Sequence, residues 1–250
     1  MKVYVGFDDT DHMGSRYGTG KLVRWFRMAL PPECTCIGVV RQQLLVCSGI
    51  PYTSHNSAAC MVVDMPEDRQ VDRLIQLAAE HIRQFALEGS DPGLCVADEK
   101  CRSLPELIRL GGFCTHAIAS QGQAIEAARY AHLSGHGGTS DGIIGAAAAV
   151  GLTASGWSGR FIEFGNLRAY PEVVMVSDLG KDGIRVMSMD RDGQVPGPDD
   201  KVYTRRWLRP RLMGNHAVMI VKAKGKGEWE NLHFKRVNSH GADNSDGLCG

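Results

Sequence analysis

The chain has 250 residues, with 28 Lys and Arg against 28 Asp and Glu, and 43% of it is hydrophobic. That length suits one large domain or two smaller ones, and the apolar content can build a buried core, which excludes wholesale disorder. No apolar run of about 18 residues occurs and the N-terminus lacks a signal-peptide layout, so a cytoplasmic protein without a membrane span is expected.

In chain order, residues 2–7 read as a strand that runs directly into Asp8-Asp9-Thr10-Asp11. A glycine-bearing loop over 14–20 leads to a helix over 21–30, with Leu22, Val23, Trp25, Phe26 and Leu30 as its apolar surface until Pro31-Pro32 end it. Short strands are predicted at 36–40 and 44–47. The continuous apolar run within 56–65 suits a buried strand. Val71, Leu74, Ile75, Ala78, Ile82 and Phe85 recur at helical spacing, which predicts a helix over 66–87 with one buried stripe. Gly89-Ser90-Asp91-Pro92-Gly93 is a break and the expected domain boundary.

A strand at 94–96, a short helix over 103–111 and an alanine-rich helix over 118–133 follow. Next come the glycine loop 135–138 and an apolar helix over 142–150. Beyond residue 155 the pattern turns to strands, at 160–164, 173–177, 184–190 and 217–222. Turn chemistry occupies 180–183 and 190–193, and a Pro/Gly/Asp linker covers 194–200. The last dozen residues read as a mobile tail. There is no internal repeat.

The sharpest chemical feature is Gly6-Phe7-Asp8-Asp9-Thr10-Asp11. Three carboxylates crowded at the C-terminal end of a buried strand repel one another, and a divalent cation with a phosphate ligand would relieve that repulsion. The alternative is an acidic turn in which Asp9 or Asp11 caps a loop. Tyr17-Gly18-Thr19-Gly20-Lys21 then opens a helix, where exposed amides, the Thr19 hydroxyl and the Lys21 charge could cradle phosphate. It is not a Walker A loop, because Ser15 and Leu22 stand at key positions. In 134–141, glycines allow close approach to a ligand or a neighbouring element, or else form a plain turn with Ser140 or Asp141 as helix cap. His55-Asn56 reads either as a ligand contact or as turn residues.

The even charge balance conceals an asymmetry. Residues 1–200 carry a net −6, residues 201–236 a net +8 and the last fourteen −2. Between Tyr203 and Phe234, aromatics alternate with Arg205, Arg206, Arg209, Arg211, Lys222, Lys224 and Lys226. That pattern suits RNA binding, and equally the charged face of an ordinary sheet. The eight cysteines include no C-x-x-C pair, which reads as free thiols rather than a zinc site.

Several of these pieces occur in the order of a known family. Val3-Tyr4-Val5-Gly6-Phe7-Asp8-Asp9-Thr10-Asp11 resembles the opening of the archaeal 2-agmatinylcytidine synthetases of isoleucine tRNA, the TiaS or agmatidine synthase family. The stretch from Ile50 to Ala59, the turn Asp91-Pro92-Gly93, the run from Gly142 to Gly151, and Phe161-Ile162-Glu163-Phe164 resemble later segments of it. The resemblance covers about residues 1–170 and implies an α+β chain. A kinase-like ATP/Mg²⁺ domain would span 1–88 and a ferredoxin-like domain 89–170, leaving 171–250 as a strand-rich extension. It further implies Mg²⁺ at Asp8, Asp9 and Asp11, and ATP phosphates near Thr10, Gly18, Gly20 and Lys21. Thr19 stands nearest to the family's reactive threonine and joins Asp8 and Asp9 as the catalytic set.

The sequence also departs from the family. His55 replaces a glycine, 134–141 lacks the family's arginine and aromatic, and the pairs that build its zinc ribbon are missing. The implied function is an ATP- and Mg²⁺-dependent phosphotransferase or ligase-like enzyme whose acceptor, tRNA or a small molecule, is left open. The other reading is a nucleotide- or RNA-binding module that kept the fold without the chemistry. RNA contact, if made, is expected through 201–236.

Overall fold

A computed structural model describes residues 1–47, 56–67, 71–190 and 194–232. Their architecture is α+β. Twelve strands form one mixed sheet, and helices cover both faces of its N-terminal half.

β1 (Lys2–Asp8) lies at the heart of that half, antiparallel to β3 (Ser57–Asp64) on one side and β4 (Gly93–Asp98) on the other. β2 (Thr35–Gln43) extends the sheet beyond β3, and β5 (His132–Gly135) extends it beyond β4. The sheet is therefore continuous across residue 88. Side chains alternate between its faces, as a strand's period of two requires. Val3, Val5 and Phe7 of β1 join Ala59, Met61 and Val63 of β3 beneath α1 (Thr19–Phe26) and α2 (Val71–Phe85). Ala58 and Cys60 face the opposite core, under α3 (Leu104–Cys114), α4 (Gln121–Ala127) and α5 (Gly142–Ala154).

α5 is buried along nearly its whole length, which the uniformly apolar run Gly142-Ile143-Ile144-Gly145-Ala146-Ala147-Ala148-Ala149-Val150-Gly151 makes possible. Its small residues let it lie almost on the sheet's backbone. A Cβ on Gly6 would collide with the Ala146 carbonyl, and one on Gly93 with the backbone of Gly142. Gly6 and Gly93 thus serve close approach of backbone to backbone.

The C-terminal half continues the sheet through β6 (Arg160–Glu163), antiparallel to β2, and then β10 (Arg211–Met213) and β11 (His216–Gly225). β7 (Val173–Met175), α6 (Val176–Lys181), β8 (Ile184–Ser188), β9 (Lys201–Tyr203) and β12 (Glu228–Asn231) complete it around a third core that includes Phe161, Leu179, Ile184, Met219 and Trp229. Among the described residues no helix is long and apolar enough to cross a membrane.

Several expectations change. Residues 44–47 form no strand, because Leu44 and Leu45 leave the ladder to bond with Asn56 and Cys114. The alanine-rich helix is confined to Gln121–Ala127. A reciprocal Ser120–Gln123 capping box sets its start, and 132–135 pair with β4 instead of continuing it. After Met175 the chain turns helical instead of extending to 177. β9, β10 and β12 are too short to show a periodicity of their own. The motif 50–55, the turn 191–193 and the tail lie outside the described residues.

Candidate functional site

The three N-terminal carboxylates leave the end of β1 in different directions. Asp8 still pairs with Gly93 of β4, and its carboxylate packs against α5, where a Cβ on Gly145 would strike it. At Asp9 the backbone takes φ +48°, a left-handed conformation uncommon for a residue with a side chain and one that accumulates at functional sites. This turn separates Asp8 from Asp11 and aims the chain toward α1.

Thr10 is fully buried and tied down: its carbonyl accepts from Leu87 N–H at 3.1 Å. Its own N–H and hydroxyl donate to Thr19 Oγ1 at 3.3 and 3.1 Å. Thr19 Oγ1 in turn donates to Asp11 Oδ1 at 3.2 Å, and Thr19 N–H reaches the same oxygen at 3.3 Å. Gly18 is the N-cap of α1 and has no side chain to offer, so the Asp11 carboxylate takes over the first-turn amide. The loop is pinned from outside by Tyr17, whose hydroxyl donates to Phe85 O at 2.9 Å and whose ring meets Trp25 edge-on.

The 134–141 loop is clipped to this centre by Asp91. Its carboxylate accepts from the N–H groups of Thr139, Ser140 and Asp141 at 3.1, 2.6 and 3.1 Å and from the Thr139 hydroxyl. Neither Ser140 nor Asp141 caps α5 through its side chain; the amides of Ile143 and Ile144 bond the Ser140 and Asp141 carbonyls, and Asp91 fixes the loop just before the helix. Ser140, like Asp9, has a positive φ, at +69°.

The electrostatics follow from this crowding. Burial, reinforced by the neighbouring Asp9 and Asp11 charges, pushes the Asp8 carboxyl up to about 7. Burial and the carboxylates of Asp91, Asp11 and Asp141 push Asp9 up to about 6. The centre thus holds negative charge at a cost, the condition a bound cation relieves. Among the described residues, no three His, Cys, Asp or Glu side chains converge as a metal cage. Mg²⁺ does not need one: it is commonly held by one or two carboxylates together with substrate phosphates. Asp8 and Asp9 fit that more modest requirement.

On the other side of Asp11 and Thr19 opens a cleft of about 350 Å³. Asp11, Gly18, Thr19, Gly20 and Lys21 line it, as do Arg24, Arg41, Ser57, Ile162, Arg168, Trp207 and Arg209; Asp8 and Asp9 do not. The structure therefore brings the glycine loop to one wall and leaves two of the three aspartates behind it. The arginines at 24, 41 and 168 carried no sequence signal of their own. They come from α1, β2 and the stretch after β6, brought together by the pairing of β2 with β6 and by the ion pairs of Arg24 and Arg168 with Glu163.

Part of the basic segment is neutralised locally. Arg205 and Lys222 pair with Glu230, Arg206 pairs with Glu172, and Lys224 sits over the Tyr203 ring. The sheet-surface alternative holds for these side chains. Arg209 differs, because with Trp207 it enters the cleft. All seven described cysteines are free thiols.

No protein-family model matches the sequence, and no curated protein matches it. Solved structures do resemble its fold. The complex of TiaS with its tRNA and ATP superposes with a TM-score of 0.52 at 25% identity, over 60% of this chain and 36% of that one. A tRNA fluorescent labelling enzyme gives 0.50 and 25% over the same shares. Apo TiaS, a tRNA agmatidine synthetase, gives 0.51 at 24% over 60% and 35%, a likeness of fold alone. The chain thus spans little more than a third of the length of each.

Proposed function

We propose that the protein is an ATP-using enzyme of TiaS-like fold whose chemistry is centred on Thr19. The observation that carries this reading is the Thr19 hydroxyl itself. It is nearly buried, is hydrogen-bonded to the Asp11 carboxylate, and lies on the wall that separates an acidic centre from a basic cleft. A hydroxyl held against a carboxylate has the arrangement of an activated nucleophile or phosphate-positioning group. The likeness to a tRNA-modifying protein solved with ATP supports a nucleotide as the phosphate donor.

In this reading Asp8 and Asp9 would hold Mg²⁺, which supplies charge neutralisation to the phosphates when bound, while Asp11, turned away from them, fixes the Thr19 hydroxyl. Thr10 orients Thr19, while Gly18, Gly20 and Lys21 hold phosphate oxygens through amides and charge. Catalysis then rests on positioning and electrostatic stabilisation. The division into a kinase-like unit over 1–88, a ferredoxin-like unit over 89–170 and an extension belongs to the same proposal.

Incubation with ATP, Mg²⁺ and either bulk tRNA or no RNA tests it, with ADP, AMP and pyrophosphate monitored. Turnover that disappears in Asp9→Asn and Thr19→Ala is the expected result. ATP binding without turnover under every condition would instead identify a nucleotide-binding module, and absence of ATP binding would overturn the ATP-using reading.

A further inference from the structure

The cleft beside Thr19 contains far more positive charge than the phosphate-holding loop accounts for. Arg24 comes from α1, Arg41 from β2, Arg168 from the stretch after β6, and Arg209 from the segment between β9 and β10. Glu163, the ion-pair partner of two of these arginines, is shared among Arg24 at 2.8 Å, Arg168 at 3.5 Å and Arg27 at 3.7 Å. Arg41 donates to the Ser57 hydroxyl at 2.9 Å. Arg209 donates to Leu208 O and stacks on Trp207, 3.8 Å from the ring centre. Among the described residues, neither Arg41 nor Arg209 forms an ion pair with a carboxylate. With Lys21 assigned to the ATP phosphates, the four arginines face two carboxylates among the described residues, Asp11 and Glu163, a surplus of two positive charges in a recess partly removed from water.

Such a gathering is unfavourable by itself. Burial first, and then the charges of Arg168, Arg24 and Arg41, weaken the hold of Arg209 on its proton. A multiply charged anion reverses the sign of every one of these interactions. Guanidinium groups on several walls also match the tetrahedral spread of phosphate oxygens, each offering a planar fork of donors. A surplus of two suits a phosphomonoester, which carries about −1.5 to −2 near pH 7. A phosphodiester, with a single charge, would leave about half of the surplus unmatched.

We infer that the arginine cleft binds a phosphomonoester dianion, the phosphate carried by the enzyme's second substrate, on the opposite side of Thr19 from the acidic centre. The anion site stands on the cleft alone, whereas its assignment to a second substrate rests on the ATP-using reading above. Because Trp207 and Arg209 belong to the C-terminal half, the inference also gives that half a direct part in substrate selection.

Calorimetric titration with phenyl phosphate and, separately, methyl phenyl phosphate tests the site, each against wild type, Arg41→Gln, Arg209→Gln and Asp9→Asn. The monoester is expected to bind wild type at least about tenfold more tightly than the diester, and each arginine variant to lose about tenfold or more, the scale of one charge-assisted contact. Asp9→Asn should leave monoester affinity unchanged while weakening binding of ATP with Mg²⁺. Arg41→Lys and Arg209→Lys keep the charge without the fork and should lie between, which guards against a glutamine variant that fails to fold. Failure of phenyl phosphate to bind, equal binding of the diester, or affinity indifferent to Arg41 and Arg209 would overturn the inference. Intact monoester binding beside absent ATP binding would remove the ATP reading and leave the anion site standing. A phosphorylated small molecule and a 5′-phosphorylated oligonucleotide, titrated last, identify the source of the phosphate.

Discussion

Thr19 Oγ1 donates to Asp11 Oδ1 across 3.2 Å while accepting from both the N–H and the hydroxyl of Thr10. One side chain thereby closes the turn after β1, starts α1, and sits between a set of carboxylates and a set of arginines. Removing the hydroxyl separates these roles. Thr19→Ala should abolish ATP turnover and, with three hydrogen bonds lost, lower stability by about 1–3 kcal/mol. Thr19→Ser should restore most of the stability and a measurable part of the turnover. Equal activity in the alanine and wild-type proteins would reduce Thr19 to a structural residue.

Asp8 and Gly145 test the close packing of α5 against the site. A methyl group at 145 strikes the Asp8 carboxylate, so Gly145→Ala should destabilise the fold by about 1–3 kcal/mol and weaken nucleotide binding. Gly112, in α3, has open space where its Cβ would lie. Gly112→Ala should be neutral or stabilising by up to about 1 kcal/mol. Denaturant titration of the two variants gives the comparison, and similar effects from both would refute the packing account.

Glu163 is the counter-charge of Arg24, Arg27 and Arg168. Neutralising it in Glu163→Gln leaves the arginines facing one another, and about 1–3 kcal/mol of stability should be lost, below the cost of breaking a fully buried pair. Added inorganic phosphate should recover more of the melting temperature in this variant than in wild type. An unchanged melting temperature without phosphate would show that Glu163 holds nothing together.

His81 supplies a pH dependence. It is buried between Phe26 and Phe85, bonds to Leu22 O at 2.9 Å, and burial lowers its pKa. The folded protein therefore takes up a proton less readily than the unfolded chain. The stability this represents is complete above the unfolded value, about 6.5, and is lost as pH falls from there through the folded pKa. His132 and His136 shift the same way, so the measurement is a difference. Between pH 6.5 and 5, His81→Phe should lose less stability than wild type; parallel curves would contradict the assignment.

The N-terminal half was the more legible part of the sequence. The strand ending in Asp8-Asp9, the amphipathic α2 and the small-residue α5 each carry a strong local pattern, and each appears close to its expected place. The alanine-rich stretch misled because its helical propensity reaches Leu133, whereas the backbone of 132–135 gains more by pairing with β4. Asp91 looked like a turn residue; its hold on 139–141 spans 48 to 50 positions, beyond any local spacing rule.

Composition, periodicity and the two glycine-bearing motifs determined the buried core and the place where carboxylates meet a helix N-terminus, because these depend on neighbours in sequence, while the α+β class was implied by the family resemblance. The charge surplus at 201–236 was equally plain, but its meaning was not. Only the tertiary structure paired Arg205 and Lys222 with Glu230 and sent Arg209, alone among the described basic residues of that segment, into a cleft with arginines 41 to 185 positions away. Charge acts through space and is screened by whatever packs around it, so the count along the chain cannot say which charges meet.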